Sequence, residues 1–161
     1  MIRNNKNVVV LGIVDENNTC NNEYDKIRIL SKSKAYIQCS KQFPYFSAEQ
    51  TSVSLRDLAN VPLVLPQKRL EFINVLLAQL QQYGEPCISA IALDKESINS
   101  MIANNIAAGF VNKFFISPDF EKYRIIPIRN APIFHLILMH HPNADPQKIN
   151  KLCELIQQQL L

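Results

Sequence analysis

The stretch Ser52–Pro66, SVSLRDLANVPLVLP, decides how the rest of the chain is read. It passes from a polar lead-in through one turn of helix into a short apolar strand. Ser54 is a good N-cap for the turn Leu55–Ala59, and Asp57 stands near the positive end of that turn. Leu63–Leu65 then reads as a buried strand that ends where a long amphipathic helix begins. Further on, Ser97–Asn112, SINSMIANNIAAGFVN, repeats the plan as helix, tight turn and buried strand. The two runs together predict a parallel α/β lobe with helix N-termini gathered at one end of its sheet, an arrangement suited to holding a small molecule.

Working outward, Lys68–Tyr83 carries apolar residues at Phe72, Ile73, Leu76, Leu77 and Leu80, a helical stripe, and Gly84 stops it. Cys87–Leu93 is a strand. Asp94 or Ser97 caps the next helix, which ends near Asn104–Asn105, with Asn105 suited to a left-handed turn. Ile106–Val111 is the following strand. Strand, helix, strand, helix, strand in succession requires right-handed parallel crossovers.

The flanks are strand-rich. Val8–Val14, VVVLGIV, is a continuous apolar run, which predicts a strand covered on both faces. Asp15–Tyr24 reads as a polar loop. Lys26–Leu30 and Lys34–Cys39 alternate in polarity, as half-buried strands do, and Gln42–Thr51 reads as a loop. Tyr123–Ile128 and Ile133–Met139 are strands on either side of the turn-like Arg129-Asn130-Ala131-Pro132. Asp145-Pro146 opens a final helix with apolar positions at Ile149, Leu152, Leu155, Ile156 and Leu160. The expectation is an α/β protein of two unequal lobes, the first and last segments sharing one of them.

At 161 residues with 47% hydrophobic content, the chain is long enough for one ordinary domain or two small lobes. The net charge of +3 is carried on dispersed residues, among them Lys32, Lys41, Lys68, Arg69 and Lys122, with no dense patch. That argues against this piece gripping nucleic acid by itself. No apolar stretch approaches the ~18–20 residues that cross a bilayer, so no membrane role is expected. The N-terminal apolar segment is broken by Asp15 and Glu16 and does not read as a signal peptide. Cys20, Cys39, Cys87 and Cys153 lie far apart and read as free thiols of a cytoplasmic protein.

With these segments placed, the chain resembles the effector-binding domain of LysR-type transcriptional regulators, a two-lobed fold like the type II periplasmic binding proteins. VVVLGIV resembles the family's strand written "vDlgIv", and KAYIQCSKQFPYF its following strand and "hPla" segment. SVSLRDLANVPLVL is similar to "isl.dLa..plil", and SINSMIANNIAAGFVN to "i..lVaaGlGialvP". FHLILMHHPN with the helix after it resembles the return strand and last helix. Asn105 and Ala107 stand where the family pattern has the two glycines of its turn, and Asn112 where it has proline. Family members open with a winged helix-turn-helix, a linker helix and two βα units that do not precede Met1 here. The resemblance thus implies a partial first lobe, 1–40 with 132–161, and a complete second lobe, 41–131. It further implies effector sensing for an intact regulator whose DNA contacts come only through the missing helix-turn-helix, and a homo-oligomer, since a helix of this lobe packs on a second protomer in the family.

Ligands of open α/β sheets lie beyond the carboxyl ends of strands, where helix N-termini offer free N–H groups. Three places have that position in the sequence: Gln38-Cys39-Ser40, Pro66-Gln67-Lys68, and Asn112 with Lys113. The alternative for each is a solvated loop end. In the family, equivalent positions line the effector cleft, which implies a polar or acidic small molecule. His140-His141 are adjacent on a strand and point to opposite faces, so they read as surface residues rather than metal ligands, and no metal or cofactor is expected. Cys39 near Lys41 is a candidate for a lowered thiol pKa. A solute-binding protein of a transporter is the alternative on the same fold, and it would require secretion. An enzyme on the scaffold would need a cofactor cysteine or a catalytic hydroxyl motif in the cleft, and no such motif is read.

Overall fold

The computed structural model describes residues 8–16, 26–114, 119 and 121–160. The expected polar loop lies mostly outside them, as does Cys20. In chain order the strands are β1 (Val9–Asp15), β2 (Lys26–Ser33), β3 (Ala35–Ser40), β4 (Val53–Ser54), β5 (Leu63–Pro66), β6 (Ile88–Ala92), β7 (Gly109–Asn112), β8 (Tyr123–Arg129) and β9 (Phe134–His140). The α-helices are α1 (Glu71–Leu80), α2 (Lys95–Ala103) and α3 (Pro146–Gln159). No helix among the described residues is long and apolar enough to cross a membrane. Contacts divide the chain into Met1–Ser33 with Ile133–Leu161, and Lys34–Pro132. β3, placed with the first lobe in the 1–40 division, pairs with β7 and β8 and so stands in the second unit.

In the unit 34–132, β4, β8, β3 and β7 form one sheet in that order, and β5 pairs with β6 in parallel. Val64 N donates to Ala108 O at 2.9 Å and Ala108 N to Pro62 O at 2.8 Å, a parallel bridge that joins the β5–β6 pair to the approach to β7. β5, β6 and β7 therefore run alike, as the helix–strand alternation requires, and β3 runs against β7 and β8. The stripe Phe72, Ile73, Leu76, Leu77 and Leu80 is buried throughout, so the face of α1 that the periodicity marks is core. α1 starts at Glu71 rather than Lys68, because Leu70 is still extended, and its last turn tightens to a 3-10 helix at Gln81–Tyr83 before Gly84 at φ +144°.

Caps fix the other joints. Ser54 Oγ accepts from Asp57 N at 3.3 Å while Asp57 Oδ2 accepts from Ser54 N at 2.7 Å, a reciprocal capping box on the one-turn helix Arg56–Leu58. Asp94, not Ser97, caps α2, accepting from Ser97 N at 2.7 Å. At the other end Asn105 is left-handed at φ 62°, with Ile106 N bonded to Met101 O and Asn105 N to Ile102 O. That is a Schellman motif, built on the residue standing where the family pattern has glycine. It uses up Ile106–Ala108 in the turn, so β7 starts at Gly109 instead of Ile106.

In the unit formed by the chain's two ends, β9 is the central strand of a three-stranded antiparallel sheet between β1 and β2. α3, capped by Asp145 through Gln147 N at 2.9 Å, lays Ile149 and Cys153 on Leu30 and Leu138. A bulge at Leu30 frees its carbonyl, which accepts from Gln157 Nε2 of α3 at 3.1 Å. β1 lies on an edge, and Leu11 is 52% exposed, so the cover on both faces expected of VVVLGIV is not found around it. A continuous apolar run identifies a strand but not how many layers lie over it. His140 is buried, contrary to the expected surface position, because it falls on the face of β9 that carries Leu138, the face that α3 covers. Its Nδ1 donates to His141 O at 2.9 Å, while His135, also buried, has no partner for either ring nitrogen among the described residues.

Candidate functional site

The unit 34–132 encloses a cavity of about 200 Å³ between the first turn of α1, the inner face of α2 and the sheet strands β5, β7 and β3. Its wall is mostly apolar. Val64 comes from β5, Phe72 and Ile73 from α1, and Ile98 and Ile102 from α2. Gly109 makes room for it. A Cβ there would stand 3.2 Å from Ile102 Cδ1, so any larger residue narrows the space or shifts α2. Leu70 and Lys95, both exposed, belong to the wall where the two helices begin.

Three polar side chains reach this space. Gln38 is 2% exposed and lies beside Gly109 in register, so the missing side chain on β7 is what bares its amide to the cavity. Gln38 Nε2 donates to Asn99 Oδ1 at 3.4 Å, and Tyr123 Oη donates to the Asn99 carbonyl at 3.3 Å, which holds Asn99 in place. Lys95, in the first turn of α2, is the only charged residue of the wall. α1 has no side-chain cap, and Ile73 N of its first turn is bonded to Leu70 O at 3.0 Å.

The residues singled out in the sequence divide as follows. Gln38 and Pro66 line the cavity. Gln67 and Lys68 are exposed just past β5, where Gln67 N is taken by Ala92 O at 2.8 Å. Cys39 points from β3 to the opposite face, is fully buried, and has its thiol pushed up to about 11 by burial, against the smaller pull of Arg124. The lowered thiol pKa expected from Lys41 is thus reversed: burial dominates, and the cation that acts on the thiol is Arg124 rather than Lys41. Ser40 donates to Asn105 Oδ1 and so secures the end of α2. Because β3 runs against β7, its carboxyl end lies at the amino end of β7, away from Pro66 and Asn112. Asn112 is fully buried, accepts from Phe114 N at 3.0 Å, and alternates onto the face opposite Gln38.

Lys95, Ile98, Asn99 and Gly109 were not anticipated as cavity residues. A signal existed in part. Asn99 interrupts the apolar side of a helix, and Gly109 is a glycine inside a strand pattern, which marks a close approach.

No protein-family model and no curated protein sequence matches the chain. Solved structures do. The regulatory domain of MetR, a LysR family regulator from N. meningitidis, superposes with a TM-score of 0.71 at 14% identity, covering 92% of this chain and 69% of that one. A LysR family regulator from Pseudomonas aeruginosa gives 0.69 at 16% identity, covering 93% of this chain and 53% of that one. Full-length CbnR complexed with its target DNA gives 0.68 at 15% identity, with the same coverage. The chain spans about half the length of the last two regulators and has the fold of such regulatory domains, the type II periplasmic-binding-like fold expected from its segments.

Proposed function

We propose that this chain senses a small-molecule effector for a transcriptional regulator of the LysR type. One observation carries the reading: the fold of such regulatory domains extends over 93% of the chain, and the second unit holds a cavity beside the starts of two helices. An effector held there favours one arrangement of the protein over another in proportion to its differential affinity, and the intact regulator passes that bias to its DNA contacts. In this reading the DNA contacts belong to a helix-turn-helix outside this sequence.

The proposal includes self-association with a second copy. The edge strand β6 exposes Ile88 and Ile91, and beside it a depression of about 330 Å³ carries Arg69 and Glu85 together. A two-fold arrangement sets each charge against its opposite on the other copy.

The test is a thermal shift of the purified chain against a broad set of cytoplasmic metabolites, with gel retardation of DNA alongside. An effector at about 100 times its Kd adds about 2.7 kcal/mol of stability. The expected result is a rise in Tm with a few chemically related compounds and no retardation of DNA by this chain alone. No compound raising Tm would overturn the reading.

A further inference from the structure

The family resemblance implies a polar or acidic ligand, and the cavity wall argues for an uncharged one. Apart from Gln38, Asn99 and Lys95, its side chains are hydrocarbon or proline, and Gly109 contributes none. A cavity of about 150 Å³ lined by aliphatic and aromatic side chains takes a six-carbon aromatic ring. At about 200 Å³ this one has room for such a ring and one small substituent. Lys95, the one charged residue of the wall, is exposed, so its ammonium is solvated by water. Gln38, which is buried, and Asn99, which is half-buried, carry neutral amides, each with N–H donors and a C=O acceptor. Among the described residues these two side chains bond only one another, Gln38 Nε2 donating to Asn99 Oδ1 at the long distance of 3.4 Å. Gln38 Oε1 and Asn99 Nδ2 are thereby left over, one acceptor and one donor. A ligand group that both donates and accepts matches that pair. An ion does not, because neither amide neutralises a charge and the hydrocarbon wall would strip its water.

We propose that the ligand of this cavity is a small uncharged molecule, an apolar body of roughly six carbons bearing one hydroxyl or carboxamide group, sized by comparison with the six-carbon cavity above. The body lies among Phe72, Ile73, Ile98 and Ile102, and the polar group donates to Gln38 and accepts from Asn99. This assignment rests on the sensing reading and specifies its ligand class. Gly109 sets the size limit, because a side chain there would begin 3.2 Å from Ile102 Cδ1 and take up the space.

The test titrates the full chain, labelled at isoleucine methyl groups, with four probes of one frame: benzyl alcohol, toluene, benzoate and benzylammonium. The expected result is saturable shifts of the Ile73, Ile98 and Ile102 methyls with benzyl alcohol, about tenfold tighter than with toluene, and weaker binding still of the two ions. Gln38→Met should reduce that tenfold preference for the alcohol to about one, and Asn99→Leu serves the same purpose if Gln38→Met does not fold. Gly109→Val should abolish the shifts, with Ile98→Phe as its substitute on the same condition. Benzoate or benzylammonium binding at these methyls more tightly than benzyl alcohol overturns the assignment and leaves the sensing reading intact. Equal affinity for benzyl alcohol and toluene overturns it as well, since the amides would then read no polar group. Silence to all four probes also overturns it, and the sensing reading then stands or falls on the metabolite screen.

Discussion

Cys39 and Gly109 illustrate how a residue's role depends on which side of its strand it occupies. Cys39 lies next to Gln38 in sequence and faces away from the cavity, in a site whose burial keeps the thiol protonated. Labelling with iodoacetamide at pH 8 should modify the exposed Cys87 and leave Cys39 and Cys153 unmodified until denaturant is added. Rapid labelling of Cys39 in the native protein, read by peptide mass spectrometry, would contradict its placement. Gly109 has ordinary backbone angles, so its conservation of space rather than of conformation is what a substitution would disturb. Gly109→Val should cost about 1–3 kcal/mol by overpacking against Ile102, measured as a lowered urea midpoint at constant m-value.

Among the elements, α1 is held by its buried stripe and α2 by its two ends. Leu76, fully buried in the middle of α1, should lose about 2–5 kcal/mol on replacement by alanine, seen in the same urea titration. For α2 the Asp94 carboxylate at the start and the Asn105 turn at the end set its length. Hydrogen bonds from Ser97 hold the Asp94 carboxyl below its usual range, and those from Ser54 do the same for Asp57. A carboxyl whose pKa is depressed on folding contributes stability above the unfolded value of about 3.9 and loses it as pH falls through the folded value. Stability should therefore decline as pH falls below about 4, and Asp94→Asn should flatten that decline. An acid titration of stability with the same slope in both proteins would show that the cap does not titrate as described. Arg124 acts at this scale too, donating to Ser47 O and Gln50 O at 3.0 Å each and tying the loop after β3 to β8.

For the whole molecule, each of the two units has its own sheet and helix cover, and the exposed apolar residues of the unit 34–132 include a group on and just past β6. Ile91 is 60% exposed and Leu93 79%, on a strand with one free edge. If that edge meets a second copy, Ile91→Lys should shift the protein to monomer across a concentration series in sedimentation velocity without lowering Tm. A monomer at every concentration in the unmodified chain would remove the self-association proposal and leave the cavity untouched.

By itself the amino-acid sequence determined the elements and the class of fold. Periodicity marked the buried face of α1 residue by residue, Asp145-Pro146 marked the start of α3, and Asn105 marked the end of α2. Each of these signals acts between residues a few positions apart, through local sterics and hydrogen bonds, and so is written along the chain. The cavity is different. It exists because Gly109 falls beside Gln38 across two antiparallel strands and beneath Ile102 of a helix, contacts that span many residues of sequence. The same antiparallel pairing carried Ser40 to the far end of the sheet from Pro66 and Asn112, and the packing of α3 on one face of β9 buried His140. Strand direction and strand order are set by how the whole sheet closes its hydrogen bonds and buries its faces, and no local pattern of residues encodes them.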